Sequence, residues 1–409
     1  MTVSRKTVSA GLAILMGLLS LTSTQLSAAN SLSETPSSGL SKIGLCKTPV
    51  KEPGASIRTG FPRHPDYIDR DKRLVVQLIY AKSPNAANPE PPAEDARYWI
   101  ENTGKFLSDM SGGYTKFEWR YENKYFEMAK PIESFRVTRA QGGDPWGLVQ
   151  ATISASDRDI DFSDVDMVIS VFPPDVKSSE IDYSPALPGF KSRPFRTKEG
   201  KIYRATMVGS DARRENGHLI IAHEIGHLLG LTDLYSYEWK QGSTFEDQFP
   251  FMGQFDHMNH AMGASKEWLG WNRWIIGFLS DREVRCVTNQ PRTVHQLEAI
   301  SSPMQGTKLV VVRTGKFKSL VIESRRNTRH DAGASEASNG LLVYRVDTRV
   351  FSGRGPIRVV RKSTSTNPMY ADAPLREGES LNVGGFTVTN LGSGPNGDTV
   401  EVLRINKNG

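Results

Sequence analysis

Apolar and polar positions divide the chain into two textures. Leu74-Val75-Val76-Gln77-Leu78-Ile79-Tyr80 is a nearly unbroken apolar run, the pattern of a strand buried on both faces. Residues 94–110 place Ala96, Trp99, Ile100 and Phe106 at helical spacing and stop at Ser111-Gly112-Gly113. Residues 114–125 alternate aromatic and polar side chains as strands do. The pattern further predicts a helix over 147–156, a buried strand over 165–172 and a short strand over 203–208, then a helix over 216–229. Strands alternating with helices indicate an α+β domain. After about residue 288 the helical period fades. Short β-rich runs at 308–313, 320–324, 341–346, 357–360, 386–390 and 399–405 are separated by Gly, Pro and Asn turns, the texture of an all-β sandwich.

The first residues change the picture. Arg5 and Lys6 precede an apolar stretch over 10–21, and Ser27-Ala28-Ala29 supplies small residues for cleavage. This is the order of an export signal, and the stretch is short of the ~20 apolar residues a membrane-spanning helix needs. Residues 1–29 therefore read as a signal peptide, and the mature chain as secreted or periplasmic without a membrane anchor. Residues 30–64, rich in Ser, Pro, Gly, Lys and Thr, read as a linker or short pro-segment. A catalytic domain over 65–288 and a β-sandwich over 289–409 complete the layout. The two cysteines, Cys46 and Cys286, read as a disulfide in an exported chain. The alternative is a Cys46 thiolate that caps a metal in a latent form. A net charge of +6, from 51 basic and 45 acidic residues, is spread thinly. With no dense basic run, nucleic acid is not an expected partner. Nothing in the pattern speaks to oligomeric state.

The chemistry concentrates in His223-Glu224-Ile225-Gly226-His227-Leu228-Leu229-Gly230-Leu231-Thr232-Asp233. Residues i and i+4 share a helix face, so His223 and His227 can converge on one ion, and imidazole suits zinc. Glu224 is placed to act as general base without coordinating the metal. Gly230 can end the helix in the left-handed conformation and return Asp233 beneath the metal as third ligand. Glu238, Glu246 and Glu267 are the alternatives for that position.

Phe249-Pro250-Phe251-Met252-Gly253 resembles the methionine turn that lies under the metal in metzincins. His257 and His260 follow, as oxyanion helpers or as core histidines. Gln254 stands where many metzincins place a tyrosine, which leaves Tyr235 and Tyr237 as nearby candidates. Trp268, Trp271 and Trp274 form an aromatic stripe, read as a packed helix rather than a pocket wall.

These blocks, HEIGHLLGLTDLY at 223–235, FMG at 251–253 and KEWLGW at 266–271, with LVIESRR at 320–326, GLLVYRVDT at 340–348 and REGES at 376–380, resemble the immune inhibitor A type of secreted bacterial metallopeptidases. The resemblance spans roughly residues 65–405. It implies a metzincin-like zincin catalytic domain followed by a β-sandwich, Zn2+ held by His223, His227 and Asp233, and often structural Ca2+, for which no acidic loop here matches a pattern. It implies endopeptidase activity on proteins or peptides, with Glu224 as the base. A substrate peptide would add to a sheet edge, with 203–208 as the candidate strand. The contrasting reading is a zinc-containing binding or adhesion protein that uses the sandwich for recognition, and the presence of Glu224 argues against it.

Overall fold

The computed structural model describes residues 41–51, 58–62, 73–189, 193–240 and 242–405. The expected signal peptide, and parts of the 30–64 stretch, lie outside the described residues.

The first sheet is built from β1 (Leu74–Lys82), β2 (Phe117–Tyr121), β3 (Phe126–Glu127), β4 (Met167–Val171), β5 (Leu187–Pro188) and β8 (Arg204–Met207); β6 (Phe195–Arg196) and β7 (Lys201–Ile202) form a small separate hairpin. Its order is β2-β1-β4-β8-β5, with β3 continuing beside the end of β1. All pairings are parallel except that of β5 with β8. Parallel strands need crossovers, and helices α1 (Ala93–Met110) and α2 (Pro145–Ser156) fill that role. Glu94 and Asp95 in the first turn of α1 suit the positive end of its dipole. The Asp144 side chain caps α2 by accepting from Gly147 N–H at 3.0 Å, with Pro145 in the first turn.

Alternate residues of β1 go to opposite faces. Leu74, Val76, Leu78 and Tyr80 join α1 and α3 (His218–Leu228) in one core. Ile79 and Ala81 join α2 in the other. A sheet covered on both faces explains the unbroken apolar run.

Two short helices, α4 (Phe245–Gln248) and α5 (Gly270–Ile275), lead into the second half. The tryptophan stripe is helical only from Gly270 onward, and Trp268, Trp271 and Trp274 are all buried. They pack the core.

The second half has a five-stranded sheet, from β9 (Val284–Val287), β11 (Leu309–Gly315), β12 (Lys318–Arg325), β13 (Gly340–Asp347) and β14 (Ile357–Val359). A four-stranded sheet holds β10 (Arg292–Glu298), β15 (Ser380–Val383), β16 (Phe386–Gly394) and β17 (Gly397–Arg404). All their pairings are antiparallel except β9 with β11. Val310, Val312, Leu320, Ile322 and Val343 share a core with Val388, Val400 and Val402 of the four-stranded sheet. The intervening Leu309, Val311, Val321, Leu342 and Tyr344 point the other way, into the core that holds α1 and α3. The five-stranded sheet is thus the shared wall between the two halves.

The described part of the 30–64 stretch is packed against that wall. Cys46 and Cys286 are joined by a disulfide. Thr48 Oγ1 lies 2.5 Å from Ser319 Oγ, and Phe61 packs edge-on against Trp271 and Trp274.

One expectation is corrected. The strand over 203–208 was expected at the sheet edge above the metal-binding helix. It is internal, because the chain ahead of it doubles back and β5 pairs antiparallel along it. The edge is β5, only two residues long. Pro188 has no N–H to donate, which an edge strand tolerates.

Candidate metal centre

Helix α3 carries His223 and His227 one turn apart, with ring centroids 4.8 Å apart. His223 Nδ1 lies 3.2 Å from the His257 carbonyl, and His227 Nδ1 lies 2.8 Å from the Leu231 carbonyl. A carbonyl only accepts, so each Nδ1 carries a proton and each Nε2 is turned toward the cluster, where it offers a lone pair once it is deprotonated. Both Nε2 atoms face Asp233 Oδ1, at 3.0 and 3.2 Å. A tetrahedral zinc site with bonds of about 2.0–2.1 Å has ligand-to-ligand edges of about 3.3 Å. Three electron-pair donors at this spacing repel one another unless a cation or a proton lies between them. The cluster therefore fits a divalent ion, and its two nitrogens and one carboxylate oxygen suit zinc. Among the described residues it is the only such group of three, all its ligand atoms lying within 4.8 Å of one another. No second cluster of this kind is found there for the calcium that the resemblance implies.

As bare protein the groups perturb one another strongly. Burial opposes charge on His227, but the Asp233 carboxylate overrides it and draws the imidazole up to about 9. Burial likewise raises Asp233, and the two imidazoles hold it well below the ordinary carboxylate range.

The return of Asp233 depends on Gly230, whose φ of +107° is left-handed. Leu231 N–H donates to the Gly226 carbonyl at 2.9 Å, closing the helix end. The alternative acids are elsewhere. Glu238 pairs with Arg354 at 2.8 Å, and Glu267 is buried against Arg273. Glu246 lies in α4 and, like them, is outside the cluster.

Glu224, beside His223, opens into a cleft of about 710 Å³ whose walls include Ser184, Ala186, Pro188, Tyr235, Tyr237 and Phe351. Its Oε2 accepts from Ala186 N–H at 2.8 Å, which ties it to the segment leading into the edge strand β5. Burial pushes the Glu224 carboxyl up, against the pull of His223 and His227.

Met252 is fully buried in the core shared with α3. The methionine found against the helix between the two histidines is Met258, which the sequence reading did not single out. A Cβ on Gly226 would meet Met258 Sδ at 2.6 Å. Its neighbour His257 supplies the carbonyl that orients His223. The His257 ring is a core group: Nε2 donates to the Leu219 carbonyl at 2.8 Å, and Nδ1 accepts from Trp268 Nε1 at 3.3 Å. His260 stacks on Phe249. Neither histidine lines the cleft. Tyr235 lies over His223 with centroids 6.3 Å apart, and the Tyr237 hydroxyl donates to Asp233 Oδ2.

No family model matches the chain, and no curated protein matches it. A solved structure of catalytically inactive OgpA from Akkermansia muciniphila, in complex with an O-glycopeptide (glycodrosocin) substrate, is similar at 11% identity. The match covers 75% of this chain and 96% of that one, with a TM-score of 0.29. A superposition this loose transfers no residue role.

Proposed function

We propose that this chain is an exported zinc-dependent endopeptidase that cleaves proteins or peptides outside the cytoplasm. One observation carries the reading: His223, His227 and Asp233 converge at zinc-ligand spacing while Glu224, the next residue on the helix, faces the same cleft. The disulfide favours an extracytoplasmic location. Among the described residues no helix is long and apolar enough to cross a membrane.

In this reading residues 65–288 form the catalytic part, 289–409 the β part and 1–29 the export signal. His223 Nε2, His227 Nε2 and Asp233 would hold the ion. When bound, zinc supplies Lewis acidity toward a substrate carbonyl and makes nearby water more acidic. The remaining work belongs to the chain. An extended peptide lies along the outer edge of β5 by strand addition. Glu224, steadied at one oxygen by Ala186 N–H, takes the proton of the attacking water with the other. It then returns that proton to the leaving amine nitrogen. Tyr235 and Tyr237 both line the cleft, and the Tyr237 proton goes to Asp233 Oδ2, which holds that carboxylate in place.

The test is casein hydrolysis by purified protein, with and without a zinc chelator, beside Glu224→Ala. Chelation should abolish hydrolysis and readdition of zinc should restore it. The variant should lose about 10²–10⁴-fold in kcat while keeping its zinc. Hydrolysis that survives both treatments would remove this site from the explanation.

A further inference from the structure

The loop between β13 and β14 reaches out of the β region into the metal centre. Ser352 Oγ accepts from Asp233 N–H at 3.0 Å. Gly353 N–H donates to the Asp233 carbonyl at 3.1 Å, and Tyr237 N–H donates to the Gly353 carbonyl at 3.0 Å. The Ser352 and Tyr237 hydroxyls are 3.1 Å apart, and Tyr237 donates to the Asp233 carboxylate itself. Asp233 is therefore gripped on both sides of its backbone, and one of its side-chain oxygens is reached through Tyr237. The approach is close enough to demand glycine. Gly353 has φ +70°, and a Cβ there would sit 2.1 Å from the Tyr237 ring. Next to it, Phe351 is 53% exposed, forms part of the cleft wall and lies 4.1 Å beneath the Arg58 guanidinium.

Asp233 needs this support more than the two histidines do. They ride on a helix, where backbone bonds fix their direction. Asp233 sits five residues beyond the last residue of α3, after a glycine reversal. A ligand on a loop binds metal well only if its backbone is held still before the ion arrives.

We infer that Ser352 and Gly353 are positioning residues of the metal centre, so that the β region is a structural part of the peptidase site and not an appended recognition module. The inference rests on the His223, His227 and Asp233 metal reading. It assigns to a serine 119 positions along the chain the task of holding the third ligand.

The experiment compares wild type with Ser352→Ala, Ser352→Thr and Gly353→Ala. Zinc affinity is read by competition with a chromophoric chelator, ligand geometry by the visible spectrum after Co2+ substitution, and folding by thermal unfolding of the metal-free protein. Ser352→Ala should weaken zinc binding about 10–100-fold and alter the cobalt spectrum, with the metal-free melting temperature unchanged. Ser352→Thr, which keeps the hydroxyl, should restore both. Gly353→Ala should shift affinity in the same direction as Ser352→Ala. Wild-type affinity and spectrum in Ser352→Ala would overturn the inference. So would a variant that fails to fold, since the contact would then determine the fold and not the site. Wild-type protein that binds neither metal would sink the underlying metal reading, an outcome separable from the other two.

Discussion

Among the described histidines, the pair in the metal cluster and a second pair elsewhere sit in opposite surroundings. His223 and His227 direct Nδ1 at carbonyls and leave Nε2 to the cluster. His260 and His295 sit in surroundings that hold them neutral: burial pushes each down to about 4, and a like charge adds to the effect, from Lys266 and Arg285 respectively. Folded, these two bind a proton more weakly than the unfolded chain, whose ordinary value is 6.5. Their contribution to stability is full above about pH 6.5 and is lost as pH falls toward about 4. The melting temperature should therefore decline across that window, and His295→Leu should flatten the decline. A variant with an unchanged slope would mean that His295 does not titrate there.

At the scale of elements, α3 is the decisive piece, because one helix presents two ligands and the base. Its packing is tight at Gly226, where a Cβ would meet Met258 Sδ at 2.6 Å and the Trp268 ring at 3.3 Å. Alanine for glycine inside a helix ordinarily gains about 1 kcal/mol. Overpacking a filled core costs about 1–3 kcal/mol. With Met258 and Trp268 both fully buried, the second effect should win. Gly226→Ala is expected to lower the melting temperature of the metal-free protein, as differential scanning calorimetry can check. A rise would mean that Met258 moves aside freely. The edge strand β5 is the other element that shapes the cleft. Two residues long and containing a proline, it carries no alternating pattern a sequence reader could find.

At the scale of the molecule, the halves are joined by the five-stranded sheet, and the disulfide ties the N-terminal segment to β9 of that sheet, closing a loop with a sequence separation of 240. Cross-linking so long a segment restricts the unfolded chain strongly, and removing the bridge should cost about 2–5 kcal/mol. Cys46→Ala with Cys286→Ala should lower the urea midpoint accordingly. An unchanged midpoint would show that the packing of Thr48 and Phe61 suffices without the bridge.

The sequence by itself determined whatever is written in short-range periodicity. The i, i+4 spacing of His223 and His227 is a property of the helix they lie on, and Gly230 signals the reversal that follows. The runs that became β1, β4, β11 and β13 show their burial as continuous apolar stretches. Tertiary structure alone decided which distant residues complete the site: Ala186 on Glu224, the His257 carbonyl on His223, Met258 under Gly226, and Ser352 on Asp233. Those partners lie tens of positions or more away from the groups they serve and act largely through main-chain atoms or a single hydroxyl. Neither leaves a periodic mark in a sequence, because a backbone amide is the same at nearly every residue and only the fold aims it.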